Sequence, residues 1–148
     1  MRIMKFSDIS ENQWDELSPY LDTCLLPVTG LTGRERPYEA TKALERLRDV
    51  LDLIEIPFKG RVVTYPACHY GADSPALLED LCAGAKAAGF RYVVLVTGTF
   101  GLALTAPSAD LIVAPEPDGK APDASHVAEA IRRLWSSGSP ASNSEAGE

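Results

Sequence analysis

The chain has 148 residues, 45% of them apolar and 24% charged, with a formal net charge of −7 at pH 7. That length fits one domain large enough to bury a core without a disulfide or a metal. The acidic balance, with no basic stripe interleaved with aromatics, argues against nucleic acid and anionic membrane surfaces as partners.

The start, "MRIMKFSD", lacks the apolar segment of a signal peptide, and no run reaches the ~20 apolar residues of a membrane span. Cys24, Cys68 and Cys82 show no C-x-x-C spacing, which argues against both a disulfide framework and a zinc knuckle. The expected location is cytoplasmic. Ser10 caps a short helix to Leu17, with Trp14 and Leu17 on its apolar side, and Ser18 and Pro19 end it. A first strand follows at about 22–28, where Pro27 marks an edge, a bulge or the last ladder position. Pro37 suits the first turn of a long helix to Ile56. Leu44, Leu47, Leu51 and Ile54 form its apolar stripe, while Glu45, Arg46, Arg48, Asp49, Asp52 and Glu55 fill the remaining surface.

A second strand is expected at 61–65. Ser74 and Pro75 then start a helix that buries Leu77, Leu78, Leu81, Cys82 and Ala85. Gly84 inside it suggests a close backbone approach, and Gly89 a left-handed C-terminal cap. The run at 92–97 is apolar throughout, as in a strand covered on both faces. A fourth strand at 110–114 and a last helix from Asp123 to about Trp135 complete the pattern. His126 falls on the exposed first turn of that helix.

This alternation predicts an α/β domain over 1–135, three-layered α/β/α and flavodoxin-like in outline, with a disordered tail over 136–148. The sheet is small and mostly parallel, with about four strands in the order 2-1-3-4.

Three strands run into small Gly-bearing turns: "VTGLTG" at 28–33, "PACHYG" at 66–71 and "TGTFG" at 97–101. In a parallel sheet such turns share the carboxyl edge, where ligands bind. The candidate ligand-binding residues are therefore Thr29, Gly30, Arg34, Glu35, Cys68, His69, Tyr70, Thr97 and Thr99. Gly30, Gly71, Gly98 and Gly101 would let backbone approach a ligand in one shared pocket. The turn "GLTGRER" at 30–36 joins a Gly-rich loop to two Arg and a helix start, a place for a phosphate or carboxylate. Cys68 and His69 are the chemically capable neighbours, but adjacent side chains usually point apart, and a nucleophile needs its base within hydrogen-bonding reach. Cys24 and Cys82 read as small core residues, and Glu39 and Glu116 as further carboxylates near strand ends.

The segments "LLPVTGLTGRER" at 25–36, "YPACHYG" at 65–71 and "GFRYVVLVTGTFG" at 89–101 resemble the creatininase family of metal-dependent amidohydrolases. There the corresponding patterns are "LLPVGS-x-E-Q-H-G", "P-x-x-x-YG" and "GFRRIVLVNGHGGN". The resemblance implies a creatininase-like fold with its metal ligands lost, a pseudoenzyme. Thr32 stands at the family's metal-binding Glu, Arg34 at its His, and Thr99 at the His of the later motif. "DTCLLP" at 22–27 and "FKGR" at 58–61 are also similar to the uncharacterised YpiF-like proteins of Bacillus-type bacteria, in the Firmicutes.

The expectation is a domain without metal or cofactor and without a catalytic residue. It would bind a small anionic ligand or a protein partner at the carboxyl edge of the sheet. Two alternatives stand beside it: a divergent, metal-independent hydrolase using Cys68, His69 and Glu35, and a structural protein that pairs with a partner or with itself as a homo-oligomer.

Overall fold

The computed structural model describes residues 3–137 of the chain. The last helix runs to Ser137, two residues into the tail expected over 136–148, and the rest of that tail, from 138 on, lies outside the described residues. A one-turn 3-10 helix, Phe6–Asp8, precedes α1 (Glu11–Leu17) and β1 (Thr23–Val28). Then come α2 (Pro37–Glu55), β2 (Val62–Thr64), α3 (Pro75–Ala87), β3 (Tyr92–Thr97), β4 (Leu111–Val113) and α4 (Ala124–Ser137). The strands are all parallel, in the expected order β2-β1-β3-β4. Among the described residues no helix is long and apolar enough to cross a membrane.

Every residue of β1 and β3 is buried, because helices cover both faces of the sheet. Side chains alternate along a strand, so Cys24, Leu26, Val28, Val93 and Leu95 meet α1 and α3 through Trp14, Leu17, Leu78, Cys82 and Ala85. Leu25, Val94 and Val96 face α2 and α4, against Leu47, Val50, Ile54, Val127 and Ile131. The result is a three-layer α/β/α domain. Burial pushes the Cys24 thiol up to about 12 and the Cys82 thiol to about 11, as expected of thiols packed as small apolar groups.

Pro27 lies in a central strand and not at an edge. The ladder with β2 stops at Leu25 and Thr64, so the missing Pro27 N–H removes no bond to β2, while its carbonyl still accepts the Cys68 N–H at 2.8 Å.

Four sequence expectations need correction. Leu44 is 44% exposed, because the stripe of α2 is centred on Ala43, Leu47, Val50 and Ile54. Leu77 and Leu81 are exposed by more than a third, flanking a narrower stripe of Leu78, Cys82 and Ala85. Glu55, expected in solvent, is 2% exposed. Its carboxylate accepts from the Thr64 hydroxyl and the Lys5 ammonium, because the N-terminal segment runs parallel beside β2 and covers it. Finally, a Cβ on Gly84 would have nothing within 4 Å. The close approach occurs instead at Gly98, where a Cβ would lie 2.5–2.6 Å from the backbone of Arg46 and Leu47. Gly98 therefore seats α2 on the end of β3.

Candidate functional site

The carboxyl-edge loops are joined by backbone hydrogen bonds. The Thr29 N–H donates to the Cys68 carbonyl (3.1 Å) and the Leu31 N–H to the His69 carbonyl (2.9 Å). Thr29 is fully buried, and its hydroxyl donates to the His69 carbonyl at 3.0 Å while lying 3.2 Å from His69 Nδ1. The Thr99 hydroxyl donates to the Thr29 carbonyl (2.7 Å), and the Thr99 N–H to the Thr97 hydroxyl (3.1 Å). Thr29, His69 and Thr99 thus come together, but as a clasp whose donors are spent on the chain itself.

The turn after β1 is an anion nest. Gly33, at φ +93°, turns the backbone so that successive N–H groups converge. The anion in that nest is the chain's own Glu35. Its carboxylate accepts the Thr32 N–H (2.9 and 3.1 Å), the Thr32 hydroxyl (3.0 Å) and the Gly33 N–H (3.0 Å). Hydrogen bonds to the charged form favour it, the Thr32 N–H first among them, and hold Glu35 down at about 2. The backbone donors expected for an external phosphate or carboxylate are therefore already engaged.

Between this loop and the first turns of α2 lies a cavity of about 500 Å³. Thr29, Gly30, Thr32, Arg34 and Glu35 line it from the loop, Tyr38, Glu39, Lys42 and Arg46 from α2, and Thr99 from the end of β3. Glu39 is bound by Arg36, whose Nε lies 3.2 Å away, and this contact lowers its pKa. Lys42 sits 5.8 Å from the centre of the Tyr38 ring and acts on Glu39 at longer range. Arg34, Lys42 and Arg46 form no ion pair with a carboxylate among the described residues. A small volume thus collects three cations beside two carboxylates that are held elsewhere.

The remaining expected residues do not share this cavity. Thr97 is buried as the acceptor for Thr99. Tyr70, exposed, lines a separate hollow of about 300 Å³ across the loop, with Gly30, Arg34, Gly71, Asp73 and Leu102. Cys68 faces the opposite side of the sheet, in an apolar cavity of about 440 Å³ with Leu26, Tyr65, Leu78, Leu81 and Gly84. Its thiol donates to the Tyr70 carbonyl at 3.0 Å, and burial raises its pKa. Both effects oppose the thiolate that a nucleophile requires, and the His69 ring is on Thr29. Phe100 turns outward over Gly119 and leaves the space beside Thr99 unfilled. The single shared pocket becomes three hollows: the 30–34 loop stands between the first two, and the third lies on the α3 side of the sheet.

The residues present do not fit a two-metal centre. Among the described residues no three His, Cys, Asp or Glu side chains gather into a group able to hold a metal. Thr32 and Thr99 spend their hydroxyls within the loops, and Arg34 adds a positive charge.

The sequence model for proteins of unknown function designated DUF2487 matches residues 12–101. The chain belongs to the DUF2487 family. That match runs from α1 to the turn after β3 and includes every residue lining the cation-bearing cavity. No curated protein and no solved structure matches the chain.

Sequence reasoning missed Lys42 and Arg46 as residues lining this cavity and took Arg46 for a solvated charge. A signal was present. Tyr38, Lys42 and Arg46 recur at a spacing of four, which aligns them on one face of α2 one turn from Arg34. Glu39 and Asp49, the acids three residues from these cations, pair instead with Arg36 and Arg48.

Proposed function

We propose that this domain is a non-catalytic binding module for a small anionic ligand, held at the carboxyl edge of the sheet between the 29–35 loop and α2. The observation that carries the reading is the meeting of Arg34, Lys42 and Arg46 in one cavity without a carboxylate partner among the described residues. The chain holds 14 Lys and Arg against 21 Asp and Glu, so acids enough exist to pair every cation. Leaving three together unpaired gives an acidic protein one locally positive hollow, and a volume of about 500 Å³ suits a small metabolite. Within the same reading, Thr32, Arg34 and Thr99 are replacements at positions that the creatininase resemblance assigns to metal ligands. An anion would then be held where that family holds cations.

The test is a thermal-shift and calorimetric titration with inorganic phosphate and citrate at low ionic strength. Binding to the native state raises the melting temperature. The Arg34→Ala/Arg46→Ala double variant should lose the shift, and added salt should weaken it by screening exposed charges. Equal binding by the double variant, or no binding of either anion, would overturn the reading.

A further inference from the structure

We infer that Glu35 is a tethered competitor of the ligand, a built-in carboxylate that occupies the oxyanion position of the cavity and must leave before a phosphoryl group can enter. The inference rests on the reading above and adds the ligand class and its control. The nest donors, the Thr32 N–H, the Gly33 N–H and the Thr32 hydroxyl, point at the Glu35 oxygens. Glu35, Arg34, Lys42 and Arg46 all line the same cavity. Backbone donors beside cations match a tetrahedral oxyanion. A phosphate carries a charge of about −1.5 to −2 and three acceptor oxygens, more than one carboxylate offers. Three unpaired cations exceed what the single Glu35 charge can balance. The side chain therefore satisfies the nest while leaving the cations for the incoming group.

A site that is closed most of the time has its apparent affinity reduced by the fraction that is open. Where Glu35 fills the nest nine-tenths of the time or more, removing it strengthens phosphate binding at least about tenfold. The experiment titrates inorganic phosphate into the full chain, comparing wild type, Glu35→Ala, Glu35→Gln and Glu39→Gln by calorimetry. The backbone amide resonances of Thr32 and Gly33 are followed in parallel. Glu39→Gln is the control for charge, because it removes a carboxylate from the same cavity without releasing the nest.

The expected result is a gain of at least about tenfold for Glu35→Ala, a smaller one for Glu35→Gln, and phosphate-dependent shifts of the Thr32 and Gly33 amides in these variants. Should Glu35→Ala melt too early to titrate, Glu35→Gln with its amide shifts decides the matter alone, since a neutral amide oxygen competes less well than a carboxylate. An equal gain in Glu39→Gln, or Thr32 and Gly33 amides that do not respond in the Glu35 variants, overturns the tethered competitor. If wild type still binds through Arg34 and Arg46, the binding reading itself survives. Absence of phosphate binding in every variant overturns both.

Discussion

At the amino edge of the sheet, Arg61 makes two hydrogen bonds to Asp22, at 2.9 and 3.1 Å, and lies 4.0 Å from the centre of the Trp135 ring. The Trp135 indole N–H in turn donates to Thr23 at 2.9 Å. Lys86 reaches Asp110 at 3.1 Å, and the same carboxylate accepts the Val93 N–H at 2.8 Å. At the carboxyl edge the carboxylates look elsewhere: Glu35 to backbone N–H groups and Glu39 to Arg36, while Arg34, Lys42 and Arg46 go without acids. Cations at the first edge tie strand starts to helix ends. At the second, Arg34, Lys42 and Arg46 tie no carboxylate among the described residues. The difference separates charges that hold the fold from charges available to a ligand, and each can be tested by substitution.

The largest effect is expected at Gly98. An added methyl would stand 2.5–2.6 Å from helix backbone, which cannot swing aside as a side chain can. Gly98→Ala should lower stability by about 2–3 kcal/mol in urea denaturation, in line with overpacked cores. An unchanged midpoint would mean that α2 is not seated on β3 as described, and the cavity beside it would lose its wall.

Next comes the contrast between the edges. Arg61→Ala removes two charge-assisted bonds and a stacked ring, and leaves Asp22, itself partly buried, without its cation. A loss of about 2 kcal/mol is expected. Arg34→Ala, Lys42→Ala and Arg46→Ala should each stay within about 0.5 kcal/mol of wild type, as surface changes without a structural contact do. Comparable losses at both edges would erase the distinction.

A smaller effect of opposite sign is expected on the α3 side. Gly84 lies inside a helix, beside the apolar cavity, and open space surrounds the place of its Cβ. Gly84→Ala should therefore stabilise by up to about 1 kcal/mol, from helix propensity and a less flexible unfolded chain. A destabilised variant would mean that the helix approaches the sheet more closely there.

These effects also mark what the sequence makes legible. The strands announce themselves as continuous apolar runs, and Pro37 and Pro75, each at the first turn of its helix, mark two helix starts. The helix faces are read less well, because Leu44, Leu77 and Leu81 sit beside the buried stripes and not on them. The burial of Glu55 depends on Lys5, 50 residues away, and no local pattern foretells it. The clasp at the carboxyl edge depends on hydrogen bonds between loops 39 and 70 residues apart. The nest, by contrast, is local. Thr32 and Glu35 stand at the Thr-x-x-Glu spacing of a capping box, and one half of it forms in the loop before the helix begins: the Thr32 N–H donates to the Glu35 carboxylate, while the Thr32 hydroxyl accepts from the Arg34 N–H.

The finest test concerns Glu35 and pH. Its folded pKa, about 2, lies below the ordinary 4.5, because the Thr32 and Gly33 N–H groups and the Thr32 hydroxyl bind the charged form. A depressed carboxylate pKa contributes stability that is fully present above the unfolded value and is lost as pH falls through the folded one. The stability difference between wild type and Glu35→Gln should therefore be constant from neutral pH to about 5 and shrink between about 4.5 and 2. The group is exposed, so solvent screening keeps the global effect small, and the sharper measurement is local. The Thr32 and Gly33 amide resonances should titrate with a midpoint near 2 in wild type and lose that transition in Glu35→Gln. A midpoint near 4.5 would show a carboxylate that visits the nest only briefly. The loop donors would then stand open at neutral pH, and both edges of the sheet would have to be read again, with the carboxyl edge carrying free donors as well as free cations.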